Sequence, residues 1–562
     1  MSVLDVLTAA RDLPRLQEIA ATLIRHGLGD VVTRLGLAGP LERAGRALRW
    51  DKAEDMSPMT VPFRVRRACE DLGPTFVKLG QLLSTRGDLL GPEWTEELAK
   101  LQRDVKPVAG AEVRDVLVEE WGAEPEEVLG SFEVEPLAAG SMGQVHAATL
   151  KGGERVVVKV RRPGIRARVE ADLRLLERLA ELVVVEFPEL RSYRPVALVR
   201  QFRRQLRDEL DFTVEARHTN AIRRAVERFP EVLVPEVHEE FTRERVLVLE
   251  RMEGQSAAEW LRQPAEERAP VEGPALASAG ARSFLSMVFE EGLFHADPHP
   301  GNVLFPGNGR LGLLDCGMVG RLSDERRREL VELLIGLHRA DARKVSDLLE
   351  RFSDDPEDLD RDALESDVRA FLGRYHGVDL GEVPAGQALG EVMELVRDHA
   401  LFLPPDVSGL LRLLSLLDGL GSQLDPEFDL LEAARPYVER AVRDHFSPTA
   451  LFSRHAEELG SLMLDLPRDV RSILDRARRG RLQVKIDVDR LEETAARLDR
   501  GVNRMVVGVV TAALIVGTSV VLTVESGPKI LGLPALGLLG FTSSAAVGFG
   551  LLISIWRSGR RR

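Results

Sequence analysis

The stretch FHADPHPGNVLF, Phe294 to Phe305, places His295, Asp297, His299 and Asn302 within eight residues, between two apolar runs. Asp297 lies five residues before Asn302 and eighteen before Asp315, which opens the tripeptide Asp-Cys-Gly. Kinase-type phosphoryl transfer needs such a trio: one carboxylate at the nucleophile, then an amide and a second carboxylate for the metal ions that bridge the phosphates. Gly317 is expected to permit the backbone kink that follows the second carboxylate. The competing chemistry is a metal site on His295 and His299. Four-residue spacing suits zinc on a helix, but Pro298, Pro300 and Gly301 forbid a regular helix there. The histidines are therefore given supporting roles, His295 bracing the loop by hydrogen bonds and His299 near the phosphates or the metal.

A nucleotide also needs a cradle and a cation. Leu137, Ala138, Ala139, Gly140, Ser141, Met142, Gly143, Gln144 and Val145 read as a small-residue turn between two strands, where backbone N–H groups approach phosphates. Fourteen residues past Val145, Lys159 interrupts the strand VVVKV, in a chain with only nine lysines among 76 basic residues. Lysine is disfavoured in strands and rarely buried without a partner. Its placement matches a lysine on the α- and β-phosphates, which needs an acid from a helix. RDELDFTVEARHTN offers Glu209, Asp211 and Glu215. VLVLERMEG, with Glu250 and Met252, reads as the strand and hinge on which an adenine would lie. The expected cofactors are ATP and Mg²⁺ or Mn²⁺.

The elements that must position these groups come from a chain of 562 residues, too long for one core. Apolar residues at 44% and charged residues at 30% suit a folded protein, and a net charge of −14 argues against nucleic acid as a partner. Cys69 and Cys316 give no disulfide framework and fit a reducing cytoplasm. Asp5 and Arg11 interrupt the first apolar stretch, so the start does not read as a signal peptide. Met505–Val524 and Ile530–Trp556 are uncharged runs of twenty and twenty-seven residues. At roughly 1.5 Å per residue each crosses a ~30 Å hydrocarbon layer; a buried hairpin of a soluble core is the alternative. ESGPK between them reads as a tight turn, and Gly540, Ser544 and Gly548 form a small-residue stripe for close packing. Arg500 and Arg504 before the runs, and Arg557, Arg560, Arg561 and Arg562 after them, place both ends in the cytoplasm. The expectation is a multi-pass inner-membrane protein with two C-terminal spans and its catalytic domain on the cytoplasmic side.

The expected class is α+β, with a helical N-terminal extension and a C-terminal transmembrane helical hairpin; that the centre is a protein-kinase-like bilobal fold is what the family resemblance given below implies. Residues 1–55 read as helical, and 56–131 as a helical block around LGPTFVKLGQLLSTRGDLLGP. There Pro74 suits a helix start and Gly87 a stop. Leu72, Phe76, Leu79 and Leu83 make an apolar face, while Lys78 and Gln81 share another, either solvated or aimed at a partner. Gly80 would let another backbone approach. Residues 132–445 read as the central domain, with a small lobe to about 254 and a large lobe beyond. Residues 446–502 form a charged stalk in which Val488, Leu491, Ala495, Leu498, Val502 and Met505 keep a heptad rhythm. It suits a stalk, the seam of a homodimer, or packing on its own domain. The two spans occupy 503–557.

KLGQ at 78–81, LAAGSMGQVH, VVVKVRRPGI, ELD at 209–211, FHADPHPGN and LLDCG together resemble the UbiB/ADCK/AarF family of atypical protein-kinase-like proteins. The resemblance runs from about residue 15 to the C-terminal hairpin. It implies a kinase-like fold whose KxGQ extension lies over the active site, ATP binding and hydrolysis, and a role in making or moving isoprenoid quinones, above all ubiquinone. By motif it implies that Lys78 and Gln81 occlude the pocket, that Lys159 pairs with Glu209, that Asp297 is the catalytic-loop acid, and that Asn302 and Asp315 hold metal. The family's loop usually reads as consecutive alanines and serine. Gly140 departs from that, and puts nucleotide preference in question.

DCGMVGRLSDERRRELVELL passes into a helical pattern within a few residues, and no Ala-Pro-Glu element follows, so a protein substrate has little to dock on. A small-molecule or lipid phosphotransferase and a true protein kinase remain the alternatives to an ATPase. A catalytically silent lipid-binding scaffold would have no need of the full trio. The expected partners are membrane lipid and isoprenoid quinone precursors or quinone-biosynthesis proteins.

Overall fold

Alternation with a period of two builds the small lobe. Val156, Val158 and Val160 are buried against Val113, Val116 and Leu117 of the Gly110–Trp121 helix. Val157 and Lys159, between them, face the opposite way, toward Phe212 and Leu247. The computed structural model describes residues 12–37, 59–101, 106–264, 268, 271–353, 359–375, 385–445, 529–530 and 533–534. Strands β1 (Ser131–Ala139), β2 (Gly143–Thr149) and β3 (Arg155–Arg161) precede the short β4 (Val232–Leu233) and then β5 (Val246–Glu250). The order β1-β2-β3-β5 is antiparallel throughout, and Lys159 sits in register between Val145 and Leu247.

Gly143 is fixed by close approach. A Cβ there would lie 2.7 Å from the Val160 carbonyl oxygen and 3.2 Å from Phe212. Gly140 is roomier, its nearest neighbour being the Gly143 carbonyl at 3.5 Å. Gly143→Ala is expected to cost about 1–3 kcal/mol in urea denaturation, and Gly140→Ala less than about 0.5 kcal/mol.

In the large lobe, β6 (Gln255–Ser256), β8 (Val303–Gly307) and β9 (Arg310–Leu313) join β4 in one sheet, while β7 (Leu293–His295) pairs with β10 (Val319–Arg321). Register pairs Val303 with Leu313 and His295 with Val319. Beneath lie the Gly273–Ser286 and Pro405–Leu424 helices, the latter burying Val407, Leu410, Leu413, Leu417 and Leu424 at helical spacing.

The N-terminal helices Leu13–Arg25, Val61–Leu72, Pro74–Ser84 and Pro92–Ala99 share an apolar cluster with the Ile165–Glu186 and Pro195–Glu209 helices. Pro74 opens its helix as expected, but the helix ends at Ser84 with Thr85 as cap, ahead of Gly87. Gly80 admits a side chain and not a backbone, since a Cβ there would meet Leu101 Cδ1 at 2.3 Å. Both cysteines are buried, and burial pushes the Cys69 thiol up to about 12 and raises that of Cys316 as well.

Residues 453–562 form a second unit. Its described residues are two short strands, Lys529–Ile530 antiparallel to Leu533–Pro534. Ile530, expected to open the second apolar helix, is thus extended and pairs with Leu533, the residue that Pro534 biases toward extended backbone. No helix among the described residues is long and apolar enough to cross a membrane. The stalk and the rest of the two apolar runs lie outside the described residues.

Candidate active site

The ladder between β8 and β9 brings the C-terminal pair of the trio together. Asn302 precedes β8, Asp315 follows β9, and the Leu314 N–H donates to the Asn302 carbonyl at 2.8 Å. His295, at the end of β7, ties Asp297 to the same point. Its Nδ1 accepts the Asp297 N–H at 3.1 Å, so Nε2 carries the proton and donates to the Leu314 carbonyl at 3.3 Å. Burial lowers the His295 pKa, which keeps the ring neutral in that tautomer. With both nitrogens engaged, His295 is no zinc ligand; His299 Nδ1 accepts the Gly301 N–H at 2.9 Å.

Asp315 has φ +46, a strained left-handed backbone for a residue other than glycine. The sequence assigned this kink to Gly317. Gly317 serves differently: it donates its N–H to Asp315 Oδ1 at 3.3 Å, and a Cβ there would crowd that oxygen at 3.1 Å. His218 Nδ1–H donates to the Gly317 carbonyl at 3.1 Å and holds the turn from the Phe212–Ala225 helix.

Lys159 pairs with Glu215 and not with Glu209. Nζ lies 2.7 and 2.8 Å from the two Glu215 oxygens, 3.8 Å from Asp315 Oδ1 and 5.3 Å from the centre of the Phe212 ring. The reason is local. Asp211 caps the Phe212–Ala225 helix by accepting the Thr213 N–H at 3.0 Å, so Glu209 ends one helix and Glu215 lies in the first turn of the next. Burial pushes the Glu215 carboxyl up to about 7 against the pull of Lys159. Burial pulls the Lys159 ammonium down, but Asp315 and Glu215 outweigh it and its pKa stands above the usual lysine value. Lys159, aided by Lys78, holds Asp315 down at about 2. Asp315 therefore stays ionised across the neutral range.

Glu209 instead meets Lys78 of the N-terminal extension in an ion pair. Gln81, on the same helix, is half-buried and its side chain bonds to no other described residue. Lys78→Ala is expected to cost no more than about 1 kcal/mol, as for a partly exposed pair, and to raise ATP turnover severalfold by loosening the extension. Comparing melting temperature with phosphate release checks both, and an unchanged rate would leave Lys78 a surface residue.

The cradle is covered more than the sequence implied. Ser141, Met142, Gly143 and Gln144 are buried, Met142 among the N-terminal helices, while Leu137 and Ala138 are exposed. Gln144 is a strut: its Oε1 accepts the Val108 N–H at 2.8 Å and its Nε2 donates to His146 Nε2 at 2.9 Å. Arg162 Nε holds the loop through the Gly140 carbonyl at 2.9 Å. Glu250 accepts the Glu236 N–H at 3.2 Å. With Met252 it lines a cavity of about 720 Å³ whose other walls include Arg223, Arg224, Phe229 and Val234. Cradle, Lys159 and Asp315 are not among those walls, so the hinge residues line this cavity without the phosphate end.

Arg412, unread in the sequence, is part of the site. Its Nη2 donates to Asp297 Oδ1 at 2.9 Å from the Pro405–Leu424 helix. An arginine inside LLRLLSLLD, on a leucine-rich helix, was the available signal.

The donors suit a small hard dication. Asn302 Nδ2 is committed to the Asp297 carbonyl at 3.1 Å, which leaves the amide oxygen as its available donor atom for a metal. Asp315 is ionised, with 53% of its side chain exposed. An amide oxygen and a carboxylate fit Mg²⁺ or Mn²⁺. No group of three or more acidic, histidine or cysteine residues among the described ones makes a metal cage; a Mg²⁺ held by one carboxylate and one amide would draw its remaining ligands from water and phosphate oxygens.

This layout, with only six residues between Gly317 and the Asp324–His338 helix, is that of an atypical kinase-like protein. The ABC1 atypical kinase-like domain matches residues 100–349, the UbiB helical domain 368–429, and the ABC1/UbiB kinase-like C-terminal domain 489–557. A probable protein kinase UbiB of Aeromonas salmonicida is 34% identical over 90% of this chain and 93% of its own. Proteins of the same description from Vibrio cholerae and Aliivibrio fischeri are each 32% identical, over 94% and 98% of this chain and 97% and 99% of theirs. A solved Mycobacterium tuberculosis structure, an Rv3197–erythromycin complex, is 23% identical over 61% of this chain and 87% of that one; its TM-score of 0.45 is too loose a likeness to argue from. With a third of its residues shared along nearly the whole length of these relatives, the chain belongs to the UbiB family of atypical kinase-like proteins.

Proposed function

We propose that the protein binds Mg·ATP and hydrolyses it in support of isoprenoid quinone biosynthesis or handling, from a membrane-anchored position with the kinase-like domain on the cytoplasmic side. The carrying observation is the segment after Asp315. Residues 318–323 run through β10, which pairs with β7, directly into the Asp324–His338 helix capped by Ser323. A peptide acceptor has no platform there. Asn302 and Asp315 would hold the metal, which supplies charge neutralisation between phosphates. Lys159, set by Glu215, would hold phosphate oxygens. Asp297, set by Arg412 and His295, would orient a water or take its proton. The quinone role rests on family membership, and the anchor on the two C-terminal apolar runs.

The test is phosphate release by the full chain with Mg²⁺, with EDTA, and with vesicles carrying polyprenylated phenols. Mg²⁺-dependent release that rises with the phenol-loaded vesicles is expected. Transfer to a peptide faster than to water would favour the protein-kinase reading. Deletion of residues 503–562 is expected to release the protein from membranes; continued sedimentation with them would move the anchor elsewhere.

A further inference from the structure

The loop that leaves the KxGQ helix is built around a buried ion pair. Arg86 and Asp88 are both buried. Arg86 Nε donates to Asp88 Oδ1 at 2.8 Å and Nη2 donates to Oδ2 at 2.6 Å, a two-pronged grip. The same guanidinium reaches two distant segments. Nη2 donates to the Leu403 carbonyl at 3.2 Å, and Nη1 to Gln201 Oε1 at 3.4 Å. It lies 5.0 Å from the Phe402 ring, which Arg194 approaches at 5.5 Å from another segment. Arg397 Nη1 donates in return to the Gly87 carbonyl at 3.1 Å. Taking two charges out of water is costly unless geometry and extra hydrogen bonds compensate. Here both compensations serve to join the extension to residues 397–403.

Those residues lead straight to the catalytic loop. Leu403 is followed by Pro404 and Pro405, whose φ angles are fixed by their rings, and Pro405 opens the helix that carries Arg412. Asp406, in its first turn, is held by Arg326 Nε at 3.1 Å. Two turns into the helix, Arg412 meets Asp297. A clamp on the Leu403 carbonyl therefore fixes the start of a stiff rod whose side chain grips the aspartate.

We propose that Arg86 is a positioning residue for Asp297, acting through the Pro405–Leu424 helix and Arg412. The N-terminal extension then has two opposed effects on one site. Lys78 covers it, and Arg86 completes it. The inference rests on the proposed ATP turnover, and it predicts that loosening the two contacts changes the rate in opposite directions.

The experiment uses the full chain. Arg86→Met combined with Asp88→Leu removes both charges together, so neither is left buried alone, and takes the donor away from the Leu403 carbonyl and Gln201 Oε1; Phe402→Leu is a milder loosening should the pair fail to fold. In the folded variant kcat for ATP hydrolysis should fall about tenfold or more, as a misplaced catalytic group requires, with KM for ATP within about twofold. Adding Arg412→Lys should cause little further loss, because both changes act on one contact. Hydrogen exchange of the 294–302 amides should speed up in each variant, whether or not turnover is measurable. Unchanged kcat and unchanged exchange in a folded variant would overturn the latch, as would losses that multiply with Arg412→Lys. A wild-type chain without turnover would speak against the proposed function alone, and the exchange readout still decides the latch.

Discussion

Asp315→Asn is expected to weaken Mg²⁺-dependent nucleotide binding at least about 100-fold, or ~2.7 kcal/mol. The substitution is nearly isosteric, and asparagine tolerates the left-handed backbone at φ +46 about as well as aspartate. The loss would therefore report the carboxylate's charge and not a broken turn. Lys159 keeps Glu215 at 2.7 Å, so the fold should hold its melting temperature. Titrating a fluorescent ATP analogue with and without Mg²⁺ reads the effect. An Mg·ATP affinity equal to wild type would remove Asp315 from the metal site.

The second large effect separates two glutamates that lie six residues apart. Glu215→Ala removes the hydrogen-bonded partner of a half-buried ammonium and leaves Asp315, at 3.8 Å, as its nearest balancing charge. Removing one partner of a buried pair costs about 3 kcal/mol, and turnover should fall with it because Lys159 loses its aim. Glu209→Ala removes only the partner of Lys78, a partly exposed pair, and should cost no more than about 1 kcal/mol. Urea denaturation of both variants gives the ranking. The reverse order would restore Glu209 as the partner of the strand lysine.

What the sequence made legible was whatever sits close along the chain. His295, Asp297 and Asn302 fall on one loop whose hydrogen bonds span two to five residues, so their spacing carried the geometry. Asp315 followed because a short two-stranded ladder links it to Asn302. Lys159 was visible as a lysine in a valine strand, but its partner was not. Glu209, Asp211 and Glu215 fit the same span, and only the capping role of Asp211 shows where the first helix stops and which face the second presents. Contacts made across long separations left the faintest traces. Arg412 lies 115 residues from Asp297, and Arg86 lies 317 from Leu403. Gly317 was chosen for the kink because glycine is the usual residue there; the chain instead bends at Asp315, where the charge of Lys159 and the Gly317 N–H both reward the carboxylate. Met142 of the cradle packs into the cluster of N-terminal helices, a tertiary fact that a strand-turn-strand pattern does not contain.

The two buried cysteines give the molecule a further property. Thiolates, not thiols, react with maleimides and methanethiosulfonates, and both native sulfurs are screened from solvent with ionisation pushed well above neutral. The unmodified sequence is therefore a chemically quiet background for site-directed labelling. A single cysteine introduced on the exposed face of the KxGQ helix, and a second on the large lobe, would accept spin labels without first deleting Cys316 from its place beside Asp315. Spectroscopic rulers can thus report the distance between the extension and the large lobe, with and without nucleotide, in a protein whose Asp315-Cys316-Gly317 tripeptide is left intact.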